Sequence, residues 1–293
     1  MTSGKPQITQ AMIDAYDEYT HLTLDRRGFM QKLTGLAGSA AAAAAIAPML
    51  AASKAKAAIV PEDDPAIVSA ETTWQAAGAE MTGTIVRPAS ASGPVPGVIV
   101  IHENRGLNDH VRDVARRMAK DGFVALAPDF LSEAGGTPGD EDKAREMIGA
   151  LDAARTVELA AATEAWLRGA NGVNGRVGAV GFCWGGGLVN SLAVADPDLG
   201  AGVAYYGRQA PAEDVPKIRA PLLLHYAGLD ERINAGIPAY EAALKAANKD
   251  YRIFVYDGVN HAFNNDTSAA RYDKAASDLA WERTVSFLKD KLA

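Results

Sequence analysis

The sequence predicts an α/β fold in which a mostly parallel sheet carries helices on both faces. Short, continuous apolar runs recur along the chain and have the length of buried strands. Segments with one apolar and one charged face, spaced with the period of a helix, lie between these runs. Turns rich in Pro, Gly and Ser separate the two kinds of segment. Because alternating strands and helices form βαβ units, we expect the sheet to be buried between two layers of helices.

The predicted elements begin at about residue 66. Residues 81–87 are rich in β-branched side chains and stop at Pro88, which predicts a strand. Residues 111–120 place Val111, Val114 and Met118 on one face and charged residues on the other, which predicts a helix. The same patterns predict strands at residues 97–101, 123–127, 176–180, 201–206, 221–226 and 251–256, and helices at 141–168 with an interruption near residue 149, 185–195, 236–247 and 269–292.

Composition narrows the possible functions. The chain has 293 residues and 48% hydrophobic side chains, enough for one large domain with a sizeable core. Its formal net charge of -7 argues against a nucleic-acid partner, since such surfaces are basic. Cys183 is the single cysteine, so no intramolecular disulfide can form. With no internal repeat and no long linker, we expect residues 58–293 to form one domain that acts on a small molecule.

Residues 1–57 have the pattern of an export signal. Arg26 and Arg27 are followed by Phe29 and then by an uncharged, Ala-rich stretch at residues 33–53. Residues 55–57 read A-K-A, a small-x-small pattern that suits a signal peptidase. The combination resembles a twin-arginine signal, an address read by a receptor and used for folded proteins.

This interpretation makes the twin-arginine translocase a partner of the chain. We expect cleavage before residue 58, a periplasmic location and no stable membrane span after cleavage. Two alternatives stay open. The uncharged stretch approaches the ~20 residues that cross a membrane, so it could be retained as an anchor, although its glycines and weak hydrophobicity argue against this. The other alternative is an Ala-rich helix that arose by coincidence.

Residues 181–185 read G-F-C-W-G and lie between a predicted strand and a predicted helix. This matches the G-x-S-x-G nucleophile elbow of the α/β-hydrolase fold, with sulfur in place of the hydroxyl. The glycines leave room for the sharp turn, and the helix N-terminus favours a thiolate at Cys183. The backbone N–H of Trp184 is then expected to donate to an oxyanion. A small buried hydrophobe is the alternative reading of Cys183.

Two further residues complete a predicted catalytic triad. In α/β-hydrolases the nucleophile is followed along the chain by the acid and then the histidine. Asp230 and His261 follow predicted strands in that order, so both are expected on the same edge of the sheet as Cys183. His261 would take the thiol proton, or hold an ion pair with the thiolate, and later protonate the leaving group. Asp230 would orient the imidazole. Taken singly, each could instead be an ordinary turn or loop residue.

Residues 102–106, which read H-E-N-R-G, follow another predicted strand and face the elbow. This position supplies the second oxyanion donor of the fold, here the Asn104 N–H. A carboxylate at Glu103 could compete with the imidazole for the thiol proton. The alternative is a structural ion pair of Glu103 with Arg105 or Arg208.

These motifs together resemble the dienelactone hydrolases, also called carboxymethylenebutenolidases, over roughly residues 81–292. The resemblance implies an α/β-hydrolase fold with an eight-stranded sheet, a Cys–Asp–His triad, no cofactor or metal, and a thiol-activating glutamate at Glu103. The matching segments are V-I-H-E-N-R-G-L at residues 100–107, A-P-D at 127–129, V-G-F-C-W-G-G at 180–186, V-A-Y-Y-G at 203–207, G-L-D at 228–230 and H-A-F at 261–263.

The departures from the family concern the substrate. Family enzymes that act on dienelactone hold its carboxylate with two arginines, one after the A-P-D segment and one after the histidine. Here residues 130–133 and 263–266 contain no arginine. Arg105 or Arg208 could substitute, and Tyr206 is a further candidate substrate contact. The resemblance therefore predicts the reaction class and leaves the substrate open.

The leading hypothesis is hydrolysis of an ester or lactone through a thioester acyl-enzyme, without a cofactor. A second hypothesis makes Cys183 a redox thiol, but the sequence offers no resolving cysteine. A third is an α/β-hydrolase that binds a ligand without catalysis. Such proteins usually lose a triad member, and none is lost here.

Overall fold

A computed structural model describes residues 7–21, 23–51 and 58–293. The A-K-A segment at residues 55–57 lies outside the described residues. One sheet contains eight strands in the order β1-β2-β4-β3-β5-β6-β7-β8. The strands are β1 (Ile67–Ala76), β2 (Ala79–Pro88), β3 (Val95–Ile101), β4 (Val124–Asp129), β5 (Val173–Phe182), β6 (Ala201–Tyr205), β7 (Leu222–Ala227) and β8 (Tyr251–Tyr256).

The helices after β3 follow the predicted alternation with strands, whereas three helices before β1 were not predicted. The helices are α1 (Gln10–Thr20), α2 (Arg26–Ala37), α3 (Ala40–Leu50), α4 (Asp109–Lys120), α5 (Glu141–Gly149), α6 (Ala153–Arg168), α7 (Trp184–Ala195), α8 (Glu231–Asn234), α9 (Ile237–Ala246) and α10 (Lys274–Leu292). Short 3-10 turns occur at Ser132–Ala134 and Val215–Lys217.

Most neighbouring strands in the sheet are parallel. β1 pairs with β2, and β2 with β4, in the antiparallel sense. All other pairs, from β4–β3 through β7–β8, are parallel. The carboxyl ends of six strands therefore meet at one edge, where α/β folds place their ligand sites. The predicted mostly parallel sheet is confirmed.

Both faces of the sheet are buried. In β3, Val98 and Val100 belong to one apolar cluster, together with side chains of α4 and α10. Ile99 and Ile101 of the same strand belong to the opposite cluster, with side chains of α6, α7 and α9. Since successive strand residues point to opposite faces, a strand covered on both sides needs an uninterrupted apolar run. This is the feature by which the sequence predicted the strands.

Strand β1 has no counterpart in the prediction. It lies at the sheet edge and is mostly exposed, so its sequence lacks an apolar run. It forms a hairpin with β2 through Ala77 and Gly78, which both have positive φ. Edge strands need only one paired side, and their burial pattern is correspondingly weak.

The predicted helix limits hold with one shift. The interruption expected near residue 149 is present, because α5 ends at Gly149 and Asp152 caps the start of α6. The last helix was predicted from residue 269 but begins at Lys274. Asp273 accepts a hydrogen bond from Ala276 N there, as an N-cap residue does.

Helices α1–α3 enclose a separate small apolar cluster that includes Tyr16, Phe29, Leu33 and Leu50. Arg26 opens α2, whose N-cap is Asp25. Among the described helices, none is by itself long and apolar enough to cross a membrane; α2 and α3 together meet that test but are bent by 113°.

Candidate active site

Cys183 occupies a strained corner between β5 and α7. Its φ and ψ are 54° and -112°, a left-handed conformation that a non-glycine residue adopts only when its surroundings enforce it. The Cys183 N–H donates to the carbonyl of Tyr205 at 3.0 Å, which holds the corner against β6. A Cβ atom at position 181 would collide with the carbonyl of Gly185, so the turn requires glycine there.

Asp230 and His261 lie at the ends of the two neighbouring strands β7 and β8 and meet in a buried pair. His261 Nδ1 is 2.5 Å from Asp230 Oδ2. Both side chains are almost completely inaccessible to solvent. Burial raises the pKa of Asp230, but the positive charge of His261 outweighs this and lowers it below its usual value. The contact fixes a proton on Nδ1 and leaves Nε2 of His261 available.

Cys183 lies next to this imidazole. Its Sγ is within 4.8 Å of a ring nitrogen of His261. In the described part of the chain, Nε2 of His261 is buried and has no hydrogen-bond partner. Burial opposes ionisation of Cys183, but the positive charges of His261 and His21 outweigh it and lower the thiol pKa to about 6. The structure thus brings Cys183, Asp230 and His261 together at one edge of the sheet.

A second imidazole at this site was not expected from the sequence. His21, directly after α1, has its Nε2 atom 3.4 Å from Cys183 Sγ. Its ring stands edge-on to that of His261, with centroids 4.7 Å apart. Asp17 lies one helical turn before it, and its carboxylate is 3.4 Å from His21 Nδ1. Neither residue was predicted, because residues 1–57 were assigned to an export signal.

One sequence signal could have indicated them. Met12, Ile13, Tyr16 and Tyr19 are buried on one face of α1 and recur with a helical period. This pattern indicates a helix that packs against something, before the twin arginines begin.

Glu103 lies in the same buried cluster. Its Oε2 atom accepts a hydrogen bond from Asn265 Nδ2 at 2.8 Å. Its Oε1 atom is buried and has no partner among the described residues. Over those residues no ion pair joins Glu103 to Arg105 or Arg208, so the structural alternative proposed for this carboxylate is not found. A buried carboxylate oxygen without a partner is costly and commonly marks a functional site.

Arg105 points away from the larger cavity described below. Its guanidinium donates to Tyr16 Oη at 2.5 Å and pairs with Glu141 at 3.2 Å. The side chain is only 6% exposed. Arg105 also lines a small pocket that reaches Cys183 and His261, and its contact with substrate stays a prediction.

The residues expected to form the oxyanion hole lie on either side of Cys183. Trp184 is the first residue of α7, so its N–H has no acceptor within the helix. Asn104 lies beside Cys183 in the wall of the same cavity. Its side chain donates to the Thr20 carbonyl at 2.5 Å. Both residues line the cavity beside Cys183, and their role as oxyanion donors stays a prediction.

A cavity of about 440 Å³ opens beside Cys183, His21 and His261. Its walls are largely apolar, and Tyr206 and Arg208 also line it. Tyr206 is buried, and its hydroxyl has no hydrogen-bond partner in the described ranges. Arg208 is exposed. Apolar walls with a few polar groups are typical of small-molecule sites. The apolar wall includes Ile148, Leu151, Val157 and Leu188.

The three remaining described histidines are held by structural contacts, and His110 among them lies 3.0 Å from the Asp266 carboxylate. His102 stacks on Trp184 with centroids 5.1 Å apart, and its Nδ1 is 2.7 Å from the Glu103 carbonyl. His225 lies in the core against Thr284 and Tyr256, and burial lowers its pKa to about 3. The donor atoms of His21, Cys183 and His261 lie within 4.8 Å of one another. This spacing would suit a metal ion, and it also suits two imidazoles placed around one thiol.

Comparisons with known proteins agree with the fold. The model of the dienelactone hydrolase family matches residues 81–292. An Escherichia coli O157:H7 protein named "Putative carboxymethylenebutenolidase" is 32% identical over 253 residues, covering 82% of this chain and 93% of that protein. A Saccharolobus solfataricus protein of the same name is 35% identical over 238 residues, covering 69% and 91%.

A solved structure from Klebsiella pneumoniae, described as "Putative Dienelactone Hydrolase", has a TM-score of 0.69 and 29% identity. It covers 75% of this chain and 98% of its own. The sheet order and the strand–turn–helix corner at Cys183 define an α/β-hydrolase. The chain belongs to the dienelactone hydrolase family, and it is an enzyme of the carboxylic ester and lactone hydrolase class.

Proposed function

We propose that this enzyme cleaves an ester or lactone through a thioester on Cys183, with His261 as base and Asp230 as its orienter. The main support is the buried 2.5 Å contact of His261 with Asp230, beside a cysteine held at a strained corner. A thiol whose pKa is about 6 is largely ionised at neutral pH, as a nucleophile must be.

In the first half-reaction the thiolate attacks the substrate carbonyl carbon and a C–S bond forms. The carbonyl electrons move to oxygen, where the N–H groups of Trp184 and Asn104 stabilise the charge. The C–O bond then breaks, and the leaving oxygen takes a proton from the imidazolium of His261. In the second half-reaction water gives a proton back to His261 and attacks the thioester. The C–S bond breaks and the thiolate is regenerated, so ester and water yield acid and alcohol without a cofactor.

Glu103 is proposed to activate the thiol. One of its oxygens is fixed by Asn265, and the other is unpaired and buried in the described part of the site. In molecules whose Cys183 is still protonated, Glu103 would accept the thiol proton when substrate binds, so that these molecules also start from the thiolate. A carboxylate with one fixed and one free oxygen suits such a transfer.

The cavity suggests a small substrate with an apolar part. Its volume of about 440 Å³ fits a compact ester or lactone. We propose that Tyr206 contacts the substrate and that Arg208 holds a carboxylate where the substrate carries one. The substitution Arg208→Gln should then raise KM for carboxylated esters and leave KM for neutral esters unchanged.

The test of the reaction uses p-nitrophenyl acetate and the full chain. Wild type should release p-nitrophenolate and form an acetyl adduct on Cys183 detectable by intact-mass spectrometry. Cys183→Ala and His261→Ala should lose turnover by at least ~10³-fold, as loss of a triad member does elsewhere. The turnover of Cys183→Ser should also fall sharply, because a hydroxyl ionises far less readily than a thiol. Asp14→Asn, at an exposed position on α1, is the control and should keep full activity.

Equal activity in wild type and Cys183→Ala would contradict the proposal. Peroxide-dependent turnover of a small thiol, without esterase activity, would favour the redox hypothesis instead. A ligand-induced thermal shift without turnover would favour a non-catalytic binding protein.

We also propose that residues 1–57 direct the protein through the twin-arginine translocase to the periplasm. The support is the Arg26–Arg27 pair, Phe29 and the uncharged stretch after them. Replacing both arginines by lysine should leave the protein in the cytoplasmic fraction. Intact mass of the exported form tests whether it starts at residue 58 or retains the earlier residues.

A further inference from the structure

Two imidazoles, from distant parts of the chain, converge on one sulfur. The Nε2 atom of His21 is 3.4 Å from Cys183 Sγ, and the nearest nitrogen of His261 is within 4.8 Å. The proposed mechanism uses His261 alone. That mechanism therefore leaves His21 without a role.

Asp17 orients His21 much as Asp230 orients His261. His21 Nδ1 lies 2.8 Å from the Asp17 carbonyl and 3.4 Å from its carboxylate. These acceptors fix a proton on Nδ1 and turn Nε2 toward Cys183. Each imidazole thus has one nitrogen on an aspartate and the other at the sulfur. For His21 the closer acceptor is the backbone carbonyl, and the carboxylate adds a negative charge beside the ring, as the aspartate of a triad does for its histidine.

The helix that carries His21 is hydrogen-bonded to the catalytic body, by which we mean residues 58–293. Its partners there are α5 and the loop after β3. Tyr19 Oη donates to Asp142 at 2.5 Å. The Thr20 carbonyl accepts from Asn104, and Tyr16 accepts from Arg105, each at 2.5 Å. Such contacts hold α1 in a defined position on the site. The orientation of His21 is therefore set by tertiary structure.

His21 borders the cavity without filling it. The space of about 440 Å³ is present with α1 in place, and His21 lies in its wall together with Cys183. A segment that blocked the site would occupy this space. A catalytic group, in contrast, must leave room for the substrate beside the nucleophile.

The charges around His21 favour its cationic form. Asp17 lies on the same helix, Cys183 and His261 face it from the body, and Arg232 of α8 donates to its Nε2 at 2.9 Å. Burial lowers the pKa of His21, but the negative charge of Cys183 and the Asp17 contact raise it to about 9.

Arg232 opposes protonation of Nε2 in the geometry described. Its side chain is 43% exposed and also lies 4.0 Å from the Asp17 carboxylate, so it can turn toward that group. Arg271, 3.7 Å from Asp17, adds a second positive charge at the carboxylate. Glu103 lies in the same pocket and adds a negative one.

We propose that His21 is a second catalytic residue of this enzyme, positioned by Asp17, and that it protonates the leaving oxygen. The proposal rests on the thioester intermediate described above, but it assigns the leaving-group proton to His21 in place of His261. As the C–O bond of the tetrahedral intermediate breaks, its electron pair passes to the leaving oxygen, which takes the proton of His21 Nε2. Neutral His21 then recovers a proton from the attacking water. His261 stays protonated and favours the ionised form of Cys183, so His261 stabilises the nucleophile while His21 transfers the proton.

A pair of esters with the same acyl group separates this role from a structural one. Ethyl acetate has a leaving group that needs a proton, whereas p-nitrophenolate leaves without one. For the full chain, His21→Gln should lower kcat/KM for ethyl acetate by about 100-fold, the scale of general acid catalysis. For p-nitrophenyl acetate the loss should stay under about 10-fold, because kcat/KM reports only steps up to acylation. Asp14→Asn, on the same helix, should change neither.

A second variant distinguishes the loss of a catalytic group from a structural defect in helix α1. In His21→Ala, added imidazole should restore part of the ethyl acetate activity, which a purely structural defect would not allow. Equal losses for both esters in His21→Gln, or no rescue in His21→Ala, would overturn the role of His21. Loss of both activities in Cys183→Ala tests the thioester mechanism separately, so the two failures can be told apart.

Discussion

The catalytic body and the N-terminal helices both supply residues at Cys183, but they reach it by different means. In the body, Cys183, Asp230 and His261 follow the ends of β5, β7 and β8, and the parallel sheet brings those ends to one edge. In the N-terminal region, His21 follows a helix that docks on the body from outside the sheet. The first kind of site follows from topology, whereas the second depends on a specific set of surface contacts.

This difference between the two regions matters for the predicted export signal, because that signal includes α1. The predicted export signal spans residues 1–57, yet His21, which precedes the arginine pair, lies 3.4 Å from Cys183 Sγ. Cleavage before residue 58 would remove His21 and Asp17 from the site. Export would then change the chemistry of the enzyme along with its location. Substitutions in each region test whether the two regions contribute differently to the reaction.

The largest effect is expected at the body's own aspartate. Asp230→Asn removes the charge that orients His261 and stabilises its cationic form. We expect kcat for p-nitrophenyl acetate to fall by about 10³- to 10⁴-fold, as in other triads. The amide keeps the shape of the side chain, so the thermal midpoint should change little. A loss below tenfold would mean that His261 does not depend on Asp230.

A smaller effect is expected at the matching aspartate of α1. Asp17→Asn weakens the orientation of His21 but leaves the body's triad intact. We expect kcat/KM for ethyl acetate to fall by about 10-fold, a fraction of a full acid–base contribution. Asp14→Asn on the same helix is the matched control and should retain wild-type values. Equal losses in Asp17→Asn and Asp230→Asn would remove the distinction between the two regions.

These two aspartates also illustrate what the sequence could predict. Asp230 was identifiable because a strand, a tight exit and the triad order all point to it. Asp17 and His21 have no such local pattern, since their role arises when α1 docks against loops distant in sequence. Edge strand β1 was missed for a related reason: its polar, exposed face carries no apolar run. Local sequence patterns thus predicted the sheet and the edge that holds Cys183. Helix α1 and edge strand β1 could be identified only from the structure.

The ionisation of Cys183 gives a test that depends on both regions at once. Burial raises its pKa, and the cations His261 and His21 bring it down to about 6. Alkylation by iodoacetamide requires the thiolate, so its rate should rise with pH through a midpoint near that value.

Removing one cation should shift the pKa of the Cys183 thiol in a definite direction. His21→Gln eliminates a positive charge that favours the thiolate, so the thiol pKa must rise and the midpoint must move to higher pH. At a pH between the two midpoints, the variant should then react more slowly than wild type. Asp14→Asn should leave the profile in place. An unchanged midpoint in His21→Gln would show that His261 alone controls the thiol.

The smallest expected effect concerns the docking of α1. Tyr19→Phe keeps the ring stacked on Phe29 and removes the hydroxyl that donates to Asp142. One such hydrogen bond contributes about 1 kcal/mol, which corresponds to a roughly fivefold change in an opening equilibrium. We therefore expect amide hydrogen exchange in α1 to accelerate by about that factor, while exchange in α4 stays unchanged as an internal control. Acceleration in both helices would indicate global destabilisation, whereas acceleration in neither would mean that this contact does not hold α1 on the catalytic body.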